Sequence, residues 1–567
     1  MKTPWTDQVN RDAPLPEYPR PQLRRERWLN LNGRWQYAIT TASVEPGSYD
    51  GEIIVPFSPE TELSGVGRTL RAGEYLWYRR ELTLPEELHG AHVLLHFGAV
   101  DQECELWING EFIRKHTGGY LPFEAEITEF AESEKLSIVL RVTDDTDGGS
   151  QNTRGKQKTR RGGIWYTPQS GIWQTVWLEA VPEQYIRSVT ITPDIDRSVV
   201  VVSAETNGGE AIAEFAGERY RLPARIPVPN AELWSPEHPK LYDICFTCGE
   251  DRVESYFAMR KFSVARDEMG NPRLFLNNAP YFQNGVLDQG YWPDGLYTAP
   301  CDEAMIFDIT TAKSMGFNML RKHIKIEPLR WYYHCDRLGM LVWQDMPCGG
   351  GHYDPAVVTA PLLTGISLKD NAYRLFGREN AEGRAQFERE LTEMVKLLYN
   401  CPCISLWVIF NEGWGQFDAK RMFDHVRTLD KTRPVDHASG WHDQGVGQVV
   451  SRHIYFTKPK YKPDKLGRVV LLSEFGGYVL REGSHSMSKR SFGYRVFETP
   501  GHLELALDEL YQEDIAEARR RGLAAAVYTQ LTDVEDELNG LITYDRIVVK
   551  VHPLRLLSII KVENGGC

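Results

Sequence analysis

The feature of this sequence that most restricts its fold is the regular alternation of strand-like and helix-like runs after Phe262. Amphipathic runs separate short apolar ones. In residues 386–399, for example, one helix face collects the apolar side chains Phe387, Leu391, Met394, Val395 and Leu398. The strand-like runs begin near Tyr281, Asn318, Met340, Ile404, Pro434, Ser451, Val469 and Ala524. Because strands alternating with helices form parallel βα units, eight of them in residues 263–567 predict a (β/α)8 barrel.

The chain before this alternation has the pattern of β structure throughout. Short apolar or alternating runs such as 76–82 and 136–142 are separated by Gly, Asp, Asn and Pro. Asn109-Gly110 between hydrophobic residues predicts a tight hairpin. We therefore predict three domains, namely a β-sandwich at 1–183, an immunoglobulin-like sandwich of about seven short strands at 184–262, and the barrel at 263–567.

Charge and apolar patterning exclude several classes of protein. The chain has 567 residues and a net charge of −13, so it lacks the basic field that attracts nucleic acid or an anionic membrane. No apolar stretch is long enough to span a bilayer, and the start lacks a signal-peptide core, so we expect a cytoplasmic protein. Nine scattered cysteines predict reduced thiols rather than a disulfide framework.

No motif for a metal or an organic cofactor stands out. Cys245-x-x-Cys248 and Cys401-Pro402-Cys403 lack a second Cys/His pair at zinc spacing. No glycine-rich phosphate loop follows a strand, and no His/Asp/Glu cluster has metal-ligand spacing. We therefore predict no cofactor and no metal. The sequence leaves the oligomeric state open, a homo-oligomer included.

Two glutamates stand at the ends of predicted barrel strands. Glu412 follows the run 404–410 on strand four, and Glu474 follows the run 469–472 on strand seven. In such barrels the reacting groups come from the C-terminal strand ends, so both carboxyls are expected to face one cavity. Cleavage of a glycosidic bond needs one carboxyl to protonate the leaving oxygen and a second to support the anomeric carbon.

A structural interpretation of these acids stays open at this point. Either glutamate alone could be a salt-bridge partner or a helix cap. Together, each begins a loop rich in glycine and bearing aromatic rings, which suits the apolar faces of a sugar. The alternative from another class is a non-catalytic carbohydrate-binding protein with an inert barrel. In either case the expected partner is a carbohydrate.

Short motifs along nearly the whole chain resemble glycoside hydrolase family 2, which includes β-galactosidases, β-glucuronidases and β-mannosidases. In the predicted sandwiches they are residues 31–37, 77–80, 170–179, 233–239 and 259–261. In the predicted barrel they are residues 321–323, 335–339, 410–412 and 473–476. The resemblance implies a jelly-roll, sugar-binding-like first domain and a retaining exo-β-glycosidase.

The resemblance also implies roles for individual residues. Glu412 would be the general acid/base and Glu474 the nucleophile, with their carboxyls about 5–5.5 Å apart rather than the roughly 6.5–9.5 Å of inverting enzymes. Asn411 would bind the sugar 2-hydroxyl, and Tyr455 would steady the nucleophile.

Further barrel residues are expected to bind substrate. Arg321 and His323, at the end of strand two, would hold the nucleophile ionised and bind sugar hydroxyls. Trp343 and Asp345 near the end of strand three, and Trp441 after strand five, are expected to shape the sugar pocket. A structural ion pair and a hydrogen-bonded core histidine are the alternative interpretation of Arg321 and His323.

The sugar is the least determined part of the prediction. Tyr528 stands where family members often carry a tryptophan that stacks on the sugar. No Asn-x-Lys motif of the glucuronidase type follows Glu474. We expect a β-galactosidase, with a β-mannosidase, a β-glucuronidase or an arabinoside-active glycosidase as alternatives. The polar loop 147–163 and the long segment 349–384 are candidates to line the pocket, the latter as a lid that limits the enzyme to exo action.

Overall fold

The structure, a computed structural model, describes residues 1–149 and 151–564. Position 150 of the predicted loop and the last three positions of the predicted barrel domain lie outside the described residues. The three regions are each built mainly from their own strands. Elements are numbered in chain order.

The N-terminal region is a β-sandwich with strands in a four-stranded sheet, a six-stranded sheet and a short two-stranded ribbon. Asn109 and Gly110 both have positive φ between two paired strands, as the predicted hairpin requires. The strands are β1 (Trp28–Asn30), β2 (Gly33–Thr40), β3 (Gly51–Val55), β4 (Tyr75–Leu82), β5 (His92–Phe97), β6 (Val100–Asp101), β7 (Glu103–Ile108), β8 (Glu111–Thr117), β9 (Phe123–Glu126), β10 (Leu136–Thr143), β11 (Gly171–Ile172) and β12 (Val176–Val181).

The second region has the predicted seven strands, arranged in a three-stranded and a four-stranded antiparallel sheet. Alternate side chains of both sheets enclose a small separate core that includes Ile191, Val202 and Phe246. The strands are β13 (Ile186–Asp194), β14 (Val199–Thr206), β15 (Ala211–Phe215), β16 (Glu218–Arg221), β17 (Ala224–Pro227), β18 (Tyr242–Cys248) and β19 (Asp251–Phe257). A small antiparallel sheet then leads into the barrel, and it contains β20 (Phe262–Arg266), β21 (Pro272–Leu276) and β22 (Ala279–Pro280).

The third region is a barrel of eight parallel strands, and each of the eight predicted strand positions is occupied by a strand. The first and last strands of the barrel pair directly with each other. The fifth and sixth strands, which form the two edges of the sheet, are also in contact, so the barrel is nearly closed. The strands are β23 (Gln283–Asp288), β24 (Met319–Lys322), β25 (Leu341–Asp345), β26 (Ile404–Val408), β27 (Val435–Asp436), β28 (Val449–Ile454), β29 (Val469–Gly476) and β32 (Ala525–Thr529), with a small outer pair β30 (Tyr478–Leu480) and β31 (Arg495–Phe497). The predicted fold class is therefore confirmed.

Helices cover the outside of the barrel. The fifth of them buries the predicted face, with Phe387 and Met394 almost inaccessible to solvent. The helices are α1 (Asp302–Ser314), α2 (Leu329–Leu338), α3 (Pro355–Val358), α4 (Ala360–Thr364), α5 (Ala381–Leu398), α6 (Ala419–Leu429), α7 (Pro500–Glu509), α8 (Ala516–Arg521) and α9 (Pro553–Asn564), with a π-helical turn Leu510–Ile515 joining α7 to α8. Among the helices described, none has the length and apolarity needed to cross a bilayer.

One connection of the N-terminal sandwich extends onto the barrel. The backbone N–H groups of Arg154 and Gly155 both donate to the carbonyl of Cys348, at 2.8 and 3.1 Å. Cys348 lies just after β25, so this segment of the sandwich is fixed at the C-terminal ends of the barrel strands. The two boundaries predicted between the three domains stay a prediction.

Candidate active site

Glu412 and Glu474 stand together at the C-terminal end of the barrel. Each offers a carboxylate oxygen, and these oxygens and a ring nitrogen of His453 all lie within 4.8 Å of one another. Glu474 is near the end of β29, and Glu412 follows β26 with a φ of 51°, in the left-handed region. A non-glycine residue there is held by its surroundings at a cost in backbone energy, a pattern concentrated at functional sites.

Glu474 is held as a carboxylate by its neighbours. Nη1 of Arg321 donates to Oε1 at 3.0 Å, and the hydroxyl of Tyr455 donates to Oε2. Burial alone would raise the pKa of Glu474, but attraction to His453 and Arg321, together with the Tyr455 hydrogen bond, lowers it to about 2. Glu474 is therefore ionised at neutral pH.

Glu412 has a different environment. Burial raises the pKa of Glu412 and the nearby Glu474 charge adds to this, while the His453 contact opposes it. The Nδ1 atom of His453 lies 2.7 Å from Oε1, and Nε1 of Trp441 donates to the Glu412 backbone carbonyl at 2.9 Å. One carboxyl that favours the protonated form thus stands beside one that favours the ionised form.

Arg321 links the groups around Glu474. It is fully buried and donates to both oxygens of Asp345, at 3.1 and 3.0 Å, and to Oδ1 of Asn411 at 2.9 Å. The amide nitrogen of Asn411 is buried and has no hydrogen-bond partner within the described residues. Because buried amide donors are normally paired, this free N–H is available to a ligand hydroxyl.

The structure gathers most of the predicted site residues, but three of those expected to line the sugar pocket are buried. Asp345 is buried against Arg321 and His323, its side-chain hydrogen-bond partners within the described residues, and its role in shaping the pocket stays a prediction. Trp343 is fully buried and donates from Nε1 at 2.6 Å to Oε1 of Gln283, the first residue of β23 and thus at the N-terminal end of a barrel strand.

Tyr528, which we expected to stack on the sugar, is enclosed between strands in this structure. Its side chain is fully buried, packs edge-on against Phe475, and accepts a hydrogen bond from the backbone of Tyr478 at 3.2 Å. The stacking role of Tyr528 stays a prediction; all five residues of β32 are buried, so the sequence gives no sign of which side chains point inward.

Two residues near the acids were not predicted as part of the site. His453 lies two residues before Tyr455, and this period-2 spacing on a strand was a usable signal. Tyr494 comes from the segment before β31 and stacks on Tyr455, with ring centroids 3.7 Å apart and planes 10° apart. Nothing in the sequence around Tyr494 indicates this approach.

The loop 147–163 and the segment 349–384 both reach the acid at 412. Lys156 of the loop lies near Trp414, with Nζ 5.9 Å from the ring centroid, and its charge acts on Glu412. In the longer segment, the carbonyl of Val357 lies 2.8 Å from Nε2 of His442. A side chain at Gly413 would meet the Val357 methyl at 2.9 Å. The backbone next to Glu412 is therefore packed by this segment.

Within the described residues, the group able to hold a metal ion is Glu412, His453 and Glu474, the same residues as the acid pair. Glu474 also accepts from Arg321, and a cation at that position disfavours a second one. The prediction that no metal is needed stays a prediction.

Comparison with known proteins places this arrangement in a family. Sequence models of glycosyl hydrolases family 2 match three stretches of the chain. The sugar binding domain model matches residues 68–182, the TIM barrel domain model matches residues 274–474, and a model described simply as glycosyl hydrolases family 2 matches residues 187–260. A Thermoanaerobacter pseudethanolicus β-galactosidase is 23% identical over 63% of this chain and 48% of its own length. Rat β-glucuronidase is 24% identical over 64% of this chain and 59% of its own length. The chain thus spans about half the length of these curated relatives.

Solved structures agree on the fold. A Ruminococcus gnavus β-glucuronidase superposes with a TM-score of 0.75 at 16% identity, over 98% of this chain and 100% of the other. A β-galacturonidase from Eisenbergiella tayi, solved with galacturonate, superposes with a TM-score of 0.72 at 18% identity, over 97% and 100%. At these identities the similarity establishes the three-part architecture alone.

Proposed function

Because this chain belongs to glycoside hydrolase family 2, we propose that it is a retaining exo-β-glycosidase with Glu412 as general acid/base and Glu474 as nucleophile. The observation that carries the proposal is the approach of their carboxylate oxygens to within 4.8 Å. So close an approach favours the about 5–5.5 Å carboxyl separation of retaining enzymes over the roughly 6.5–9.5 Å of inverting enzymes, in which a water fits between the general base and the sugar.

The proposed reaction has two displacements at the anomeric carbon. First, an oxygen of Glu474 bonds to this carbon as the bond to the leaving oxygen breaks, and Glu412 gives that oxygen its proton. Then Glu412 takes a proton from water, and the water oxygen displaces Glu474 from the sugar. The low pKa of Glu474 keeps the nucleophile ionised, and the upward shift of the Glu412 pKa moves the acid toward the protonated form that the first step requires.

Neighbouring residues support these roles. Tyr455 and Arg321 hold the two oxygens of Glu474, which fixes the carboxylate for attack. The unpaired amide nitrogen of Asn411 is placed to bind the sugar 2-hydroxyl, a contact that strengthens as the transition state forms. The packing of Val357 beside Gly413 supports exo action, since it limits space next to the acid.

For the sugar we propose a neutral β-glycoside, with β-galactoside first. Curated relatives carry both the β-galactosidase and the β-glucuronidase name. Glu537 lies beside Lys156, the cation of loop 147–163, and a sugar carboxylate placed there would meet this negative charge. A β-uronidase is the second candidate, because Lys156 itself could bind a carboxylate.

The experiment is a panel of nitrophenyl α- and β-glycosides, with galactoside, glucoside, mannoside, arabinoside, glucuronide and galacturonide in the β series. NMR of the first-formed anomer of the released sugar then gives the stereochemistry. We expect hydrolysis of a neutral β-glycoside with the β-anomer formed first. The α-anomer first would contradict the retaining mechanism, and a protein that binds sugars but hydrolyses none would be a carbohydrate-binding protein.

A further inference from the structure

Lys156 reaches the barrel from the N-terminal sandwich on a fixed backbone. The carbonyl of Cys348 holds the two residues before it, and the carbonyl of Lys156 itself accepts from the backbone N–H of Tyr166 at 3.0 Å. The position of this side chain is therefore determined by both domains. The roles proposed for the acid pair and for the Arg321 network assign no function to Lys156.

Lys156 is a nearly buried residue whose ammonium group makes no hydrogen bond within the described residues. The residue is 5% exposed, and Nζ lies 5.3 Å from the ring centroid of Tyr166 and 5.9 Å from that of Trp414. In the part of the chain that the structure describes, its ion-pair partner is Glu537, with Oε2 3.8 Å from Nζ and thus beyond hydrogen-bond distance. The three N–H donors of this ammonium group are therefore free to pair with an acceptor on a ligand.

Lys156 belongs to the wall of the site that holds the acids. Trp414, beside its ammonium, packs edge-on against His323 with ring centroids 6.2 Å apart. Burial is the main cause of the lowered pKa of His323, and the charge of Lys156 adds to it. The same charge acts on Glu412, so the ammonium lies close to both groups.

Glu537 completes the arrangement. It is 2% exposed, accepts from the hydroxyl of Tyr166, and accepts from Nδ2 of Asn539 at 3.2 Å. These contacts hold the carboxylate in place beside Lys156. A hydroxyl oxygen about 2.8 Å from both Nζ and Oε2 fits across the 3.8 Å separation, since it accepts from the ammonium and donates to the carboxylate. A ligand carboxylate can only accept, and Glu537 would repel it.

We propose that Lys156 and Glu537 form a donor–acceptor pair that binds a hydroxyl of the terminal sugar, distinct from the 2-hydroxyl assigned to Asn411. This inference rests on the proposed function and makes it more specific, because it assigns a specificity-determining pair that spans two domains. It predicts that the sugar is neutral and that the pair selects against uronic acids.

The test combines variants of the pair with deoxygenated substrates. Values of kcat and KM are measured for wild type, K156M and E537Q on the preferred nitrophenyl β-glycoside and on its 3-, 4- and 6-deoxy analogues. On the parent substrate we expect both variants to lower kcat/KM by about 10- to 100-fold, as for a hydrogen bond to a charged group. On the one analogue that lacks the bound hydroxyl, we expect both variants to lower kcat/KM by less than about 3-fold relative to wild type, because the contact is already lost.

K115M is the matched control. Lys115 is an exposed residue of the same sandwich, paired with Glu103 at 2.8 Å, and K115M should leave kcat/KM unchanged on every substrate. An equal loss for K156M on all analogues would overturn the proposal, because a purely structural role affects every substrate alike. A wild type that prefers a uronide, with K156M losing this preference selectively, would also overturn it.

Failure of the proposed function gives a different result. A wild type that hydrolyses no β-glycoside contradicts that function alone. The pair is then tested by calorimetric binding of the monosaccharide and its deoxy analogues to wild type and E537Q. Coupling between the E537Q substitution and one deoxy position supports the pair, and the absence of such coupling at all three positions overturns it.

Discussion

Nδ1 of His453 lies 2.7 Å from Oε1 of Glu412, so the acid proposed to protonate the leaving group is within hydrogen-bond distance of an imidazole. The other nitrogen of His453 lies 3.6 Å from the nearer oxygen of Glu474 and 3.1 Å from the hydroxyl of Ser439. One ring therefore contacts both acids. We expect their titrations to be linked through it, so that a change at His453 affects both pH limbs of activity.

The variant E412Q should separate leaving groups by acidity. An alkyl leaving group needs a proton and a dinitrophenolate does not, so kcat/KM should fall by about 10²- to 10⁴-fold for the alkyl glycoside and much less for the dinitrophenyl one. Steady-state kinetics on both substrates measures this. E517Q, at an exposed ion pair with Arg520, is the control. Equal losses on both substrates would contradict the acid role of Glu412.

Glu474 should be the residue that becomes covalently attached to the sugar. A 2-deoxy-2-fluoro glycoside with a good leaving group should label wild type once, because the fluorine slows the second displacement more than it slows attack on an activated leaving group. Peptide mass spectrometry should find the label at Glu474 and none on E474Q. Label on any other residue would refute the assignment.

Y455F should shift the acid limb of the kcat/KM profile. The Tyr455 hydroxyl donates to the charged form of Glu474, so its loss raises the pKa of Glu474 from about 2. Activity that needs the carboxylate is lost as pH falls through this pKa, so the acid limb moves to higher pH. We also expect kcat to fall by about 10- to 100-fold at neutral pH. Y49F, at a tyrosine on the N-terminal sandwich, should change neither quantity.

H453Q should move both limbs in the same direction. The contacts of His453 lower the pKa of Glu412 and that of Glu474, so its removal raises both. Because the acid limb follows the carboxylate form of Glu474 and the alkaline limb follows the protonated form of Glu412, the whole profile should shift to higher pH. A shift of the acid limb alone, as expected for Y455F, would show that His453 does not act on Glu412.

R321M should destabilise the barrel as well as inactivate it. Arg321 is fully buried, and its removal leaves Asp345 and Glu474 without their cation. Breaking a buried pair by deleting one partner costs about 3–5 kcal/mol of unfolding free energy. Urea unfolding followed by tryptophan fluorescence measures this, with R24M at an exposed pair with Glu254 as control. A cost below about 1 kcal/mol would contradict the importance of this network.

The sequence predicted best what depends on local periodicity. Apolar runs of strand length alternating with amphipathic runs gave all eight barrel strands, and the rule that reacting groups follow such strands brought Glu412 and Glu474 together. Both inferences need only the order of elements along the chain. The offset of 62 positions from Glu412 to Glu474 did not matter, because the closed barrel brings the strand ends to one face.

The sequence was least informative about side-chain direction and about contacts between domains. Trp343 and Tyr528 lie on strands that are buried on both faces, so no polar alternation shows which residues reach the pocket. Tyr494 and Lys156 come from irregular segments far along the chain from the residues that they approach. Their positions depend on tertiary packing, which a single sequence does not encode in any local pattern.

The attachment of Arg154 and Gly155, next to Lys156, to Cys348 has a consequence for how such a protein can be divided or recombined. A barrel expressed alone would keep both acids yet lack the ammonium that we assign to sugar selection. Conversely, a chimaera that receives the N-terminal sandwich of a relative would inherit part of that relative's substrate preference. On this assignment, sugar selectivity depends on both the N-terminal sandwich and the barrel, so exchanging either domain changes which sugars the protein accepts.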